Sequence, residues 1–170
     1  MKVQSRLFLF LGLCALMFAV TFEASAQQSP ATSAATTAAK PAGASEADLA
    51  AIKQTALDYI EGFYEGNEER MERALHPDLA KRIVHTDQKS GRSRLDQMSA
   101  MSLVQVTRAQ ASRPTPKDKR QNEVTVLDVF ENAASVKIVA TDWIDYLHVG
   151  KFNGRWVIVN VLWELKPQPK

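Results

Sequence analysis

The stretch "FNGRWVIVNVLWEL", residues 152–165, follows directly on "TDWIDYLHVGK", residues 141–151, and together they carry three Trp, three acids and one His. Asn153-Gly154 splits two apolar runs. A type I′ turn needs both central residues at φ > 0, which Asn-Gly supplies, so the spacing predicts a β-hairpin with Phe152 opposite Arg155. Uniform pairing then sets Lys151 against Trp156, Val149 against Ile158, Leu147 against Asn160, Asp145 against Leu162 and Trp143 against Glu164. Side-chain alternation places all of these on one face. The other carries Ile144, Tyr146, His148, Val157, Val159, Val161 and Trp163, with Asp142 near its end. Neither face reads as solvated, so both are expected to pack.

Working outward, "EVTVLDVF" and "ASVKIVATDWIDYLHVGK" are also rich in Val, Ile and aromatics, and predict a meander of antiparallel strands. The second of these would exceed about 50 Å as one straight strand at about 3.4 Å per residue, so it must bend or bulge, best near Thr141-Asp142. A short turn at "ENAA" would set Asp128 opposite Lys137. Upstream the period changes. Ser45 and Asp48 form a capping box ahead of Leu49, Ile52, Ala56, Tyr59 or Ile60, and Phe63 at helical spacing. Gly66-Asn67 closes that helix and opens a second, with Glu68 and Glu69 in its positive first turn and Met71, Ala74 and Leu75 as its apolar stripe. His76-Pro77 ends it. Residues 81–86 read as a short strand, and residues 93–108 as a third helix carrying Leu95, Met98, Met101 and Val104. Helices followed by a bent antiparallel sheet make a two-layer α+β domain.

The chain opens with Lys2 and Arg6, the apolar run Leu7 to Val20, and Ala24-Ser25-Ala26 before Gln27, the order of a cleavable export signal. The apolar core is short for a membrane span. Cys14 follows the branched Leu13, which argues against lipidation. Residues 27–44, "QQSPATSAATTAAKPAGA", lack aromatics, large aliphatics and acids, and read as a flexible tether. The expected organisation is a signal at 1–26, a linker at 27–44, one domain at 45–167 and a tail at 168–170. Location would be the periplasm or beyond the cell, with no stable membrane insertion after cleavage. A product starting at Gln27 has 170 − 26 = 144 residues and loses the chain's single Cys, leaving neither disulfide nor thiolate chemistry.

Cleavage also removes two bases and one acid, so a formal charge of +2 becomes 19 − 18 = +1. That offers no general attraction to nucleic acid, and none is expected as a partner. The charges are unevenly placed: nine acids against three bases in residues 46–78, and ten bases against three acids in residues 81–120. The simplest reading of the basic stretch is a solvated loop and helix flank, with an anionic ligand or partner as the alternative.

The segments "ALDYIEGFYEGNEERMERALHPDLAKR", "LDQMSAMSLVQ" and "VTVLDVFENAASVKIVATDWIDYLHVGKFNGRWVIVNVLWELKP" resemble bacterial proteins grouped as putative lumazine-binding or SnoaL-like members of the nuclear transport factor 2-like superfamily. The likeness covers residues 47–167. It implies a cone-shaped α+β fold in which about three helices cover the hollow of a curved antiparallel sheet, and homodimers that form through the sheet. It implies no particular reaction, since the superfamily includes isomerases, cyclases, dehydratases, transport factors and proteins without known activity. It also implies that Trp156 and Ile158 point into the hollow. Trp143, Asp145, Leu147, Asn160, Leu162 and Glu164 would then face inward toward Tyr59 and Phe63.

Tyr59, Phe63, Trp143, Asp145, Leu147, Asn160 and Leu162 are therefore the candidate ligand-binding residues: an aromatic-lined cavity with an acid and an amide suits a small, partly aromatic molecule. Each Trp nevertheless fits core packing better than a ligand platform, and Asp145 fits a salt bridge or backbone cap somewhat better than a pocket base. Burial beside aromatics would raise the pKa of Asp145 and suit proton transfer. His76 fits a hydrogen bond at a helix end, and His148 an interface. The histidines have no metal-ligand spacing, no nucleotide loop or nucleophile elbow is visible, and no cofactor is expected. Three readings stay open: an exported small-molecule-binding protein, a SnoaL-like isomerase, dehydratase or cyclase using Asp145 or His148, and a non-catalytic accessory dimer.

Overall fold

A computed structural model describes residues 44–167. The expected signal segment, the C-terminal tail and all of the expected linker except Ala44 lie outside the described residues. Helix α1 (Glu46–Glu65) begins as its capping box dictates, with the Ser45 hydroxyl oxygen accepting from the Asp48 amide at 3.0 Å. It ends at Gly66, whose φ of +68° is the left-handed cap that a side chain resists. Space forbids a side chain there as well, because a Cβ on Gly66 would fall 2.2 Å from the Ala111 Cα. Asn67 then caps α2 (Glu68–Ala74) by accepting from the Arg70 amide at 3.0 Å.

From Ala74 the chain passes straight into β1 (Leu75–Thr86), turns, and returns as β2 (Ser93–Ser99) before α3 (Ala100–Gln110). The helix expected over residues 93–108 is thus half strand. Leu95, Met98 and Met101 happen to fit a helical stripe, but the hairpin turn at residues 87–92 overrides it. There the Asp87 carboxylate accepts from the Lys89 and Ser90 amides, and Gly91 sits at φ +68°. That turn sets Thr86 opposite Ser93 and Ala80 opposite Ser99, after which Ser99 caps α3 by accepting from Ser102. A 3₁₀ turn (Lys117–Lys119) leads to β3 (Asn122–Phe130), β4 (Ala133–Ala140), β5 (Trp143–Phe152) and β6 (Arg155–Leu165).

The six strands form one sheet in the order β2-β1-β6-β5-β4-β3. The α+β class with three helices is as expected, but the cone is not: the sheet is open, neither closed nor strongly curved, and β2 and β3 are its two edges. It is not wholly antiparallel either, since β1 runs parallel to β6. The physical reason is connectivity. Hairpins force neighbours to run antiparallel, whereas β1 reaches β6 from the helical segment and is free of that constraint. The long middle segment neither bends nor bulges as one strand; Thr141-Asp142 reverses it completely, so that β4 and β5 pair with each other.

The Asn153-Gly154 turn is as the sequence predicts, with φ of +48° and +81° and Phe152 opposite Arg155. Pairing follows the expected register as far as Val149 with Ile158. There Val159 is extra, a β-bulge, and beyond it His148 faces Asn160, Leu147 faces Val161, Tyr146 faces Leu162 and Asp145 faces Trp163. A one-residue slip sends every later side chain to the opposite face. A second bulge at Leu127 sets Asp128 opposite Ser135 and Thr125 opposite Lys137, so the expected Asp128–Lys137 pair does not form.

The core lies between the helices and one sheet face, with Ile52, Ile60, Tyr64, Met71, Ile138, Leu147, Ile158 and Val161 each no more than 1% exposed. Each such aliphatic side chain contributes about 1.5–3 kcal/mol by leaving water. Tyr64 also fastens α1 to the far end of the sheet, its hydroxyl donating to the Gln121 carbonyl at 2.7 Å and accepting from the Thr141 amide at 2.9 Å. The charge asymmetry has a partner within the chain: Arg108 pairs with Glu68, and Arg120 lies 3.1 Å from Glu65. Asp58, buried near the α1–α2 junction, keeps a pKa below the ordinary carboxylate value despite that burial, because Arg70, Gln54 and Arg73 hydrogen-bond it.

Candidate functional site

Beside the core, at the end of the sheet where β5 begins and β6 ends, a cavity of about 340 Å³ opens between α1, α3 and the sheet. Its aromatic walls are Tyr59 and Phe63 from α1, Trp143 from β5 and Trp163 from β6; Leu103 and Val106 from α3 close the apolar side. Phe63 stands edge-on to Trp143, with ring centres 5.5 Å apart at 86°, an arrangement in which each ring orients the other.

The polar floor is a single hydrogen-bonded cluster. Alternation along β1 puts Leu79, Lys81 and Ile83 on one face, so Lys81 enters the apolar layer and is 7% exposed. Its Nζ donates to Asp145 Oδ1 at 2.8 Å and to the Tyr59 hydroxyl oxygen at 2.5 Å. The Tyr59 hydroxyl in turn donates to Asp145 Oδ1 at 3.2 Å, and Trp143 Nε1 donates to Asp145 Oδ2 at 2.6 Å. Asp145 is 0% exposed. A charge so deeply placed needs its counter-ion and its hydrogen bonds, and here it has both. The ammonium also lies 4.7 Å from the Trp163 ring centre and 5.2 Å from that of Tyr59, within cation–π range.

Protonation follows from these contacts. Burial, reinforced by the Asp145 charge, pushes the Tyr59 phenol well above its ordinary value of 10.0, so it is a neutral donor throughout the physiological range. Burial draws the Lys81 ammonium below its ordinary 10.5, while Asp145 opposes the drop. The Lys81–Asp145 ion pair and the neutral Tyr59 hydroxyl thus make up the floor.

Of the residues singled out from the sequence, Tyr59, Phe63, Trp143 and Asp145 come together here. Leu147 does not line the cavity; it is 1% exposed in the core beside it. Asn160 and Leu162 lie on the opposite face because of the Val159 bulge: Asn160 accepts from Arg82 at 2.7 Å, and Leu162 is 46% exposed. Trp163 and Val161, expected on that outer face, point inward for the same reason. Lys81 was not singled out, although a lysine between Leu79 and Ile83 in a strand is a readable signal of a cation on an apolar face. His148 sits on the outer face, 3.4 Å from Asn160, and His76 accepts from the Asp78 amide at 3.1 Å near the end of α2. Among the described residues, no three His, Cys, Asp or Glu side chains gather as a metal site.

A family model described as "Putative lumazine-binding" matches residues 47–164, most of the chain and every aromatic wall and polar floor residue of the site. The chain belongs to this family. In fold it is similar to nuclear transport factor 2-like proteins of unknown function. One, from Methylobacillus flagellatus KT, has a TM-score of 0.59 at 20% identity, covering 76% of this chain and 100% of that one. A second, from Shewanella baltica OS155, has a TM-score of 0.57 at 19% identity over 72% of this chain and 96% of that one. A third, from Silicibacter pomeroyi DSS-3, gives 0.54 at 16% identity over 69% and 95%. No curated protein matches the sequence. The described domain of this family member is thus nuclear transport factor 2-like in fold, with an open sheet and an aromatic pocket.

Proposed function

We propose that the protein is an exported small-molecule-binding protein whose ligand is flat, mostly apolar and polar at one end. The observation that carries this reading is the joining of four aromatic walls to one polar floor: Tyr59, Phe63, Trp143 and Trp163 over the Lys81–Asp145 pair. Walls of this kind exclude water, and a few convergent polar atoms set orientation. Lys81 and Asp145 cancel in charge, so a neutral ligand is favoured over an ion. The family description suggests lumazine. A pteridine dione presents polar atoms around much of its rim, however, whereas the walls here are apolar, and this favours a ligand with a single polar end.

An isomerase, dehydratase or cyclase with Asp145 as general base fits less well. Both carboxylate oxygens already accept hydrogen bonds, and Asp145 lies behind Tyr59 and Trp143 with no exposed surface. His148 is on the other side of the sheet. The accessory-dimer reading is compatible with ligand binding. Tyr146, Leu162, Val84 and Leu95 form an outer-face patch, each 46–57% exposed, and this supports a homodimer through the sheet.

Native mass spectrometry of the purified chain, followed by denaturing release, tests the reading. The expected result is a bound compound of one or two rings or, in a chain purified empty, saturable uptake of 2-naphthol. A chain that carries no compound and takes up no 2-naphthol would reject it.

A further inference from the structure

We infer that Lys81 is an imine-forming lysine, whose Nζ condenses with an aromatic aldehyde or ketone held against Phe63, Trp143 and Trp163. The inference rests on the pocket being a ligand site, as proposed above, and adds a covalent step to it. Three features of the floor point this way.

An ammonium has three N–H donors, and the bonds to Tyr59 and Asp145 occupy two of them. Nζ lies beside the rings of Tyr59 and Trp163, both of which line the cavity. The nucleophilic atom is therefore at the floor of the pocket and not behind it. Desolvation is one of the recognised ways in which a lysine is activated for attack on a carbonyl. In keeping with that, burial lowers the Lys81 pKa even against the Asp145 charge.

The protons have places to go. Transfer from the ammonium to Asp145 Oδ1, 2.8 Å away, frees the amine lone pair. Attack on the carbonyl carbon forms the C–N bond, and a proton passes from nitrogen to the carbonyl oxygen, with the Tyr59 hydroxyl 2.5 Å from Nζ as the relay. Asp145 then returns its proton through the Tyr59 hydroxyl, 3.2 Å from Oδ1, to the carbinolamine hydroxyl, which leaves as water while the nitrogen lone pair closes the C=N bond. Ammonium, carboxylate and carbonyl thus become iminium, carboxylate and water. The charge in the buried floor is the same before and after, with Asp145 as counter-ion throughout. An ordinary neutral imine would leave Asp145 unpaired in a dry site, at heavy cost.

The test is reductive trapping with 2-naphthaldehyde and sodium cyanoborohydride, read by intact mass and peptide mapping. Hydride delivery to the iminium carbon fixes the adduct as a secondary amine. Lys81 should be labelled at least tenfold faster than the exposed Lys53 and Lys89, and excess 2-naphthol should suppress that labelling alone. K81R should lack the fast label. Y59F should form the Lys81 adduct several-fold more slowly even at saturating 2-naphthaldehyde, which separates a proton relay from weakened binding; an unchanged saturated rate would overturn the relay. Binding of 2-naphthol with Lys81 labelled no faster than Lys53 would overturn the imine and leave the pocket reading intact. Loss of both 2-naphthol binding and selective labelling in the wild-type chain would overturn both.

Discussion

Lys81 Nζ and Asp145 Oδ1 meet at 2.8 Å across 64 positions of sequence, joining β1 to β5 over the intervening β6. Removing one member strands the other in a dry site, which costs about 3–5 kcal/mol. K81M and D145L should each lower stability in urea unfolding by about that amount. The double variant should recover much of the loss, because two apolar side chains of similar volume need no counter-ion. Additive losses would show that the two groups are not coupled.

The Val159 bulge predicts which side chains can be joined across β5 and β6. With Cys14 changed to Ser, the double variant H148C/N160C should oxidise readily to an intrachain disulfide, since these residues face one another. L147C/N160C, the pair that uniform register would bring together, should remain reduced. The opposite pattern in a mass measurement under mild oxidant would place the strands in the unbulged register.

Acid should loosen the start of α1. Hydrogen bonds from Lys151 at 2.7 Å, Trp156 Nε1 at 2.8 Å and Ser45 hold the Asp48 carboxyl down from 3.8 to about 2. A lowered carboxylate pKa gives stability that is complete above the unfolded value and is lost as pH falls through the folded one. Stability should therefore decline between about pH 4 and pH 2, and D48N should be less stable at neutral pH with a shallower decline over that window. Parallel curves for the two proteins, from urea midpoints at each pH, would show that Asp48 is not the group responsible.

Gly66 meets two independent objections to a side chain, its positive φ and the nearby Ala111 backbone. Gly66→Ala should cost more than about 2 kcal/mol, the sum of left-handed strain and a displaced α3 terminus. Thermal unfolding of the variant within about a degree of wild type would contradict this geometry.

Some of this was written plainly in the chain. Ser45 and Asp48, Gly66-Asn67 and Asn153-Gly154 act through local chemistry, and they fixed the helix ends and the central hairpin. The bulge had no such mark. In "VIVNVLWEL" both faces carry apolar residues, so a slip at Val159 leaves the pattern equally plausible, and Trp163 was exchanged for Leu162 on the pocket side. Residues 93–99 carry a misleading local signal: Leu95 and Met98 satisfy a helical period, while the hydrogen bonds that make them a strand come from β1. Lys81 is hard to read for a related reason: its meaning depends on Asp145 and Tyr59, and only the assembled fold brings those together. The parallel pairing of β1 with β6 is likewise announced by no local signal.

The central claim, that the cavity beneath α3 is where the ligand sits, is tested most directly by filling it. Val106 lines the cavity from α3 yet is 44% exposed, so a larger side chain there can close the space with little strain on the core. Isothermal titration of 2-naphthol into the wild-type chain and V106W should give saturable one-site binding in the first and at least tenfold weaker binding in the second, with equal thermal stability. Equal affinity in both would place the ligand elsewhere and contradict the pocket as the functional site.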